Sequence, residues 1–408
     1  VKILIYGINF APELTGIGKY SGEMAEWLAQ SGHEVRVVTA PPYYPQWRIA
    51  DGVVNGWRKE QSENLSVYRC PLWVTKKLTG KKRLLHLASF ALSSIPVILS
   101  QLFWRPDVVM VIEPPLMCAP MALLLTRLCA AKSWLHVQDF EMDAAFDMGI
   151  LKSVRLRQLV LNIEHCLMSR FDRVSTISPK MQEKLQEKKL APSKTVLFPN
   201  WVDLDSIFPL AAVSPMRAEL GIADNKIVAL YSGNIGEKQG VEVVLEAAKY
   251  LEDNDILQFV LCGDGAAKQR LHDTYLGLIN VLWLPLQPIE RLNDLLNMAD
   301  IHLLPQRADV ADLVMPSRLT GMLASGRSVV ATANPGTQVA KVVQQCGIVL
   351  APGDVNGLVQ AVIELGSNEA KRTEFGKYAR AYAVANLEKN AVLTRLENEI
   401  FDVMKYTT

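Results

Sequence analysis

The 408-residue chain lacks most of the features that assign a function quickly. Its 43 lysines and arginines are balanced by 42 aspartates and glutamates, so no chain-wide field attracts nucleic acid or an acidic polymer. Any cationic site must be local. The six cysteines (Cys70, Cys118, Cys129, Cys166, Cys262 and Cys346) form no C-x-x-C pair and no zinc spacing. They read as buried thiols in a reducing compartment. There is no repeat of solenoid period and no low-complexity tract. The opening "VKILIYGINF" has neither the length nor the cleavage site of a signal peptide and reads as a buried strand, which puts the protein in the cytoplasm. "DLD" at 203–205 and "DND" at 253–255 read as turn chemistry, so neither a metal nor another cofactor is implied.

What is present is a twofold alternation of short apolar runs with helix-period segments. The first set is "KILIYG", "EVRVVTA", "SVYRC", "DVVMVIE", "SWLHVQ", "RVSTIS" and "TVLFPN"; the second is "KIVALYSG", "LQFVLCGDG", "VLWLPL", "IHLLPQ", "SVVATA" and "GIVLAPG". Unbroken β-branched runs separated by helices predict parallel sheets covered on both faces, hence an α/β chain of two doubly wound, Rossmann-like domains. Periodicity lapses around 200–215, which predicts domains over 1–205 and 206–386, with a terminal helix over 387–408 free to pack back. Ligands bind beyond the carboxyl ends of such strands, so two facing sheets predict a deep cleft with polar signals at the strand-to-helix turns.

Those turns carry the chemistry. In "YSGNIGEKQGVEVVLEAAKYL", residues 231–251, a loop with Gly233, Gly236 and Gly240 leads into a helix whose stripe is Val243, Val244, Ala247, Ala248 and Leu251. Free N–H groups and the dipole at that helix start suit phosphate oxygens, and Lys238 adds full charge. The loop is neither a Walker sequence nor G-x-G-x-x-G. The turn Gly263-Asp264-Gly265 extends the same wall. In "PSRLTGMLASG", Ser317 and Arg318 open a second helix, where Arg318 can grip oxygen bidentately. In the first half, Gly16 and Gly18 stand in a loop long enough to close over a ligand. His136 and Asp139, beside Gln138, Glu141 and Asp143, end another strand and read as functional.

One apolar stretch, 84–103, follows the basic segment "KKLTGKKR" at 76–83. A basic cluster beside an apolar helix is the pattern of a monotopic contact with anionic lipid, and core helices of large α/β proteins look much the same. Both readings stand at this stage.

Six stretches in order ("APELTGIGKYSGEMAEWLA", "TAPPYYPQW", "LHVQDFEMDA", "FPNWVD", "YSGNIGEKQG" and "PSRLTGMLASG") make the whole chain resemble the retaining glycosyltransferases of family 4, group 1, with the GT-B fold. Within that family the likeness is to the colanic-acid biosynthesis enzymes. It implies a nucleotide-sugar donor held by the C-terminal half, an acceptor held by the N-terminal half, and a C-terminal helix crossing back. Lys238 matches the family lysine on the donor diphosphate, Gly16 to Gly18 match a glycine loop near the phosphates, and His136 matches a histidine near the transferred sugar. The donor set implied is Gly16, Gly18, Gly233, Asn234, Lys238, Gly263, Gly265, Ser317 and Arg318. Asn234 stands where the family has an arginine. The acidic pair E-x7-E is missing, its positions being Leu313 and Gly321, and Asp309 or Asp312 are candidates to replace it.

The resemblance implies transfer of a sugar, with a GDP-sugar such as GDP-fucose as donor, to a lipid-linked glycan for exopolysaccharide. The expected reaction is metal-independent and cytoplasmic, at the inner face of the membrane, with peripheral contact through 76–103 and no nucleic acid. The rival readings are a GT-B enzyme with a soluble acceptor and a non-catalytic partner in a polysaccharide assembly complex.

Overall fold

A computed structural model describes residues 1–13, 16–75, 80–140, 154–237, 239–308 and 315–405. The chain forms two compact units, Val1–Pro199 with Leu393–Thr408, and Asn200–Val392. The strands of the first are β1 (Lys2–Tyr6), β2 (Glu34–Thr39), β3 (Arg58–Gln61), β4 (Leu65–Arg69), β5 (Val108–Glu113), β6 (Lys132–Val137), β7 (Arg173–Thr176) and β8 (Thr195–Leu197). They make one sheet in the order β3-β4-β2-β1-β5-β6-β7-β8. β5 is buried along its whole length, with Val108 beside Ile3 of β1 and Ile112 beside His136 of β6. A Val-Met-Ile run suits that double burial.

Seven of these strands follow from the apolar runs, and β3 does not. It reads Arg-Lys-Glu-Gln, lies fully exposed and pairs antiparallel with β4 at the sheet edge. A charged edge strand carries no hydrophobic signature, and its charges discourage pairing with another chain.

The second unit contains β9 (Ile227–Ser232), β10 (Leu257–Cys262), β11 (Val281–Leu284), β12 (Ile301–Leu304), β13 (Ser328–Thr332) and β14 (Gly347–Leu350). They form a parallel sheet ordered β11-β10-β9-β12-β13-β14. All six correspond to expected runs. The helix Glu242–Tyr250 buries Val243, Val244, Ala247 and Ala248, and Leu251 follows at its end, in the same core as Tyr231, Phe259 and Leu261. Burial of a valine or leucine side chain is worth about 1.5–3 kcal/mol, which anchors the helix and so fixes the glycine loop before it.

The strand order reverses between β9 and β12 in this unit and between β1 and β5 in the first, and the carboxyl ends of those strands are the switch points. The last helix, Lys389–Lys405, begins beside a bridge between Val202 and Glu388. From Leu393 on it belongs to the first unit, where Leu396 and Ile400 are buried and Glu397 Oε1 lies 2.7 Å from His33 Nε2.

The apolar stretch folds as helices Gly80–Ser93 and Ile95–Ser100, with Pro96 in the first turn of the second. By length and composition the 21 residues could cross a membrane, but 28% of the apolar window is buried. His86, Leu87, Phe90 and Ile98 face inward; Leu85, Leu92 and Leu99 are exposed, and Phe103 just beyond is 93% exposed. The plain core-helix reading therefore fails, because a core helix buries its apolar faces all round. Lys81, Lys82 and Arg83 lie in its first turns, whereas Lys76 and Lys77 lie outside the described residues.

All six cysteines are free, and Cys70, Cys118, Cys262 and Cys346 are buried as expected. Cys166 is exposed and Cys129 half-buried, contrary to expectation, since each lies on a helix and escapes its core stripe.

Candidate active site

The second unit assembles its site at the switch point. β9 ends in Tyr231 and Ser232 and delivers Gly233. β12 ends in Leu304 and delivers Pro305, Gln306 and Arg307. Arg318, in the first turn of the helix Ser317–Ala324, joins the two turns. Its Nη1 donates to Tyr231 Oη at 2.8 Å and its Nη2 to the Pro305 carbonyl at 3.2 Å. The guanidinium also sits 5.2 Å from the Tyr231 ring centroid. Tyr231 Oη donates in turn to the Asn234 carbonyl at 2.5 Å. A relay thus runs from arginine through tyrosine to the glycine loop. Burial, only partly opposed by Arg318, pushes the Tyr231 phenol up from its usual value, so it stays protonated and can donate.

The glycines have distinct tasks. A Cβ on Gly233 would meet Arg318 Cδ at 3.4 Å, so the arginine side chain lies flat across it. A Cβ on Gly263 would stand 1.8 Å from the Gly233 carbonyl oxygen, and one on Gly265 2.4 Å from that of Ile235. These two positions accept only glycine, because the turns after β9 and β10 are zipped together by Gly233 N–H to Cys262 O at 2.9 Å and Ile235 N–H to Asp264 O at 2.8 Å. The turn Gly263–Gly265 thus supports the loop from behind. Asn234 is exposed on the loop, and Ser317 is exposed at the uncapped start of its helix.

Two nearby cations are already engaged. Lys268 Nζ donates to the Gly263 carbonyl at 2.7 Å, and Arg270 pairs at 2.7 Å with both Glu237 and Glu242. Lys238 lies outside the described residues, as do Glu141, Asp143, Asp309, Asp312 and Leu313.

In the first unit, Gly16 and Gly18 open the helix Gly16–Gln30 beyond β1. A Cβ on Gly18 would meet Glu13 Oε2 at 2.5 Å. Glu13 is buried; its carboxylate accepts from Tyr43 N at 3.1 Å, Tyr44 N at 3.0 Å and Asn9 Nδ2 at 2.9 Å. Burial raises its pKa against these three donors. Residues 9–13 of the loop expected to swing over a ligand are therefore pinned. Glu13 was missed by sequence reasoning, and its only signal there is an acidic residue just before a helix start.

His136 is the penultimate residue of β6, two strands from β1. It is 2% exposed, with Nδ1 2.8 Å from Ser175 Oγ and Nε2 2.9 Å from the Gln138 amide nitrogen. Trp134 Nε1 donates to the same Ser175 hydroxyl at 2.8 Å. Burial pushes the imidazole down to about 3. It is neutral near pH 7, with both nitrogens on protein partners, and reaches a substrate only if the Gln138 amide swings aside. Asp139 is half-buried next to it. Gly16 and Gly18 thus lie at one strand end and His136 with Asp139 at another, while Gly233, Asn234, Gly263, Gly265, Ser317 and Arg318 form one cluster. Among the described residues, no three or more His, Cys, Asp and Glu side chains are placed to hold a metal ion.

Two parallel-sheet Rossmann-like units, the second with a braced glycine loop and an arginine at its switch point, define the GT-B class of glycosyltransferase. The family model described as Glycosyl transferase 4-like domain matches residues 15–201, and that described as Glycosyl transferases group 1 matches residues 213–382. The chain is 42% identical over 411 residues to WcaI of Escherichia coli (strain K12), named for glycosyl transfer in colanic acid biosynthesis, covering 98% of this chain and 100% of that protein. The chain belongs to this glycosyltransferase family and is an enzyme of that class. Among solved structures it is similar to sucrose-phosphate synthase from Thermosynechococcus elongatus, with a TM-score of 0.77 at 17% identity and complete coverage of both chains. It is also similar to HepE from Anabaena, solved in complex with UDP-glucose, with a TM-score of 0.69 at 16% identity over 98% of this chain and 99% of that one.

Proposed function

We propose that the protein transfers a sugar, with retention at the anomeric carbon, from a nucleoside diphosphate sugar to a lipid-linked oligosaccharide in exopolysaccharide biosynthesis. The observation that carries this reading is the relay Arg318–Tyr231–Asn234, which holds a glycine loop and a helix start at one switch point. The likeness to the colanic-acid enzyme supports a related polysaccharide, and the donor we propose for it is a GDP-sugar such as GDP-fucose. HepE, solved with UDP-glucose, supports a nucleotide-sugar in this fold.

In this reading the bond between the anomeric carbon and the diphosphate oxygen breaks as the acceptor oxygen bonds to the same carbon from the same face. The acceptor proton passes to the leaving phosphate. Charge grows on the diphosphate, where Arg318, Lys238 and backbone N–H groups stabilise it without a metal. Asp139 and, once the Gln138 amide swings aside, His136 position the sugar or the acceptor.

The exposed stripe Leu85, Leu92, Leu99 and Phe103, with Lys81, Lys82 and Arg83 at its start, supports docking at the inner face of the cytoplasmic membrane, where a lipid-linked acceptor resides.

The test is thermal unfolding of the wild type, Lys238→Ala and Arg318→Ala against UDP, GDP, ADP and dTDP, with and without EDTA. A ligand bound only to the native state at 100 times its Kd stabilises by about 2.7 kcal/mol. One nucleotide should raise the wild-type midpoint, with or without EDTA, and leave both variants unmoved. No shift with any nucleotide would refute the donor-site reading.

A further inference from the structure

Among the described residues, three buried polar atoms at the donor site of the second unit have no hydrogen-bond partner: Arg318 Nε, Gln239 Oε1 and Gln306 Oε1. The two glutamines belong to turns packed against each other, and Arg318 reaches them from its helix. Gln306 follows Pro305, whose carbonyl accepts from Arg318. Its backbone is clamped on both sides by Thr332, N–H to Oγ1 at 2.8 Å and Oγ1–H to the carbonyl at 3.0 Å. Gln239 precedes Gly240, where a Cβ would stand 3.5 Å from the Gln306 carbonyl carbon. Its amide oxygen lies over Gly236, 2.7 Å from the position of a Cβ there. The main chain of both glutamines is thus set by the fold, and each side-chain amide presents an atom that nothing satisfies.

A buried amide oxygen without a donor costs roughly 1–3 kcal/mol, and two such atoms in one place mark a site arranged for a ligand rather than for stability. The chemistry of that ligand is restricted. Phosphate oxygens only accept, so they suit Arg318 Nε but cannot serve an amide oxygen. A hydroxyl donates to the amide oxygen and, with the amide turned over, accepts from its N–H. Either orientation is met by a hydroxyl.

We propose that Gln306 and Gln239 read hydroxyl groups of the nucleotide-sugar, taking the place of the acidic pair absent from positions 313 and 321. This rests on the donor-site reading given above. The hydroxyls belong either to the ribose or to the transferred sugar, and the experiment separates the two.

Calorimetric titration of the full chain would compare wild type, Gln306→Met and Gln239→Met, with folding confirmed by circular dichroism. The ligands are the nucleoside diphosphate that shifts the wild-type midpoint, its 2′-deoxy and 3′-deoxy analogues, and the corresponding nucleotide-sugar. Loss of one neutral hydrogen bond predicts about 3- to 10-fold weaker binding. If the ribose is read, diphosphate and nucleotide-sugar weaken together and one deoxy analogue binds the variant and the wild type alike. If the sugar is read, the diphosphate keeps its affinity and only the nucleotide-sugar weakens. Unchanged affinity of both folded variants for every ligand overturns the proposal and leaves the donor site standing. Failure of the wild type to bind any nucleotide overturns both. A measurement that needs no variant is titration of the wild type with nucleotide-sugars deoxygenated at single positions of ribose or sugar; indifference to every missing hydroxyl again overturns the proposal.

Discussion

Replacing Gly263 with alanine tests whether the turn after β10 holds the glycine loop in place. The added Cβ would lie 1.8 Å from the Gly233 carbonyl oxygen and 2.9 Å from its carbon, at a backbone φ of +151°. Both obstacles are main-chain atoms, so no side chain can rotate away. Reaching even 3.0 Å, a distance real Cβ contacts essentially never undercut, requires a shift of 3.0 − 1.8 = 1.2 Å. Gly233 resists, because its N–H is bonded to Cys262 O at 2.9 Å. Overpacking costs about 1–3 kcal/mol and the disfavoured φ another ~1–3, for a loss of roughly 2–6 kcal/mol. Displacement of the loop by about 1 Å should also cost on the order of 10²-fold in turnover. The assay is urea unfolding of the full chain alongside release of nucleoside diphosphate. Gly277→Ala is the control, since its φ is +99° and nothing lies within 4 Å of an added Cβ, leaving the backbone term alone. If Gly263→Ala matches that control in midpoint and turnover, the bracing argument is refuted.

Two further outcomes are expected. His136 and His302 are held down to about 3 by burial, against 6.5 in an unfolded chain, so the unfolded state takes up the protons that the native state refuses. Stability is then complete above pH 6.5 and falls as pH drops towards 3, by up to about 1.4 kcal/mol per pH unit for each histidine; urea midpoints between pH 7 and 5 should flatten in His302→Asn, and an unaltered slope contradicts this. For the membrane surface, Leu92 and Phe103 are 66% and 93% exposed, so Leu92→Asp with Phe103→Asp should reduce co-sedimentation with phosphatidylglycerol vesicles at least about tenfold. Binding to neutral phosphatidylcholine should be weaker throughout, because each nearby Lys or Arg contributes about 1 kcal/mol towards anionic lipid; equal binding by variant and wild type would remove the docking surface.

Most of the architecture was legible from local pattern. Strands buried on both faces need continuous apolar residues, and thirteen of the fourteen strands among the described residues announce themselves in that way. The helix stripe from Val243 to Leu251 was legible for the same reason, since 3.6-residue periodicity is a property of the segment alone. The edge strand β3 was not, because its existence depends on hydrogen bonds from β4 rather than on its own Arg-Lys-Glu-Gln.

The site divides along the same line. The glycines at 233, 263 and 265, the helix start at Ser317 and the arginine at 318 are visible as residue types at turns, so the expectation of a phosphate-binding surface follows from the sequence by itself. Only the tertiary structure decided their roles. Gly263 is required because residue 233, thirty positions earlier, passes 1.8 Å from where its side chain would begin. Arg318 is aimed by Tyr231, 87 residues away, and His136 is occupied by Ser175, 39 residues away. Sequence patterns encode what a segment buries, whereas the partner of a polar atom is set by which distant segment the fold brings within hydrogen-bond reach.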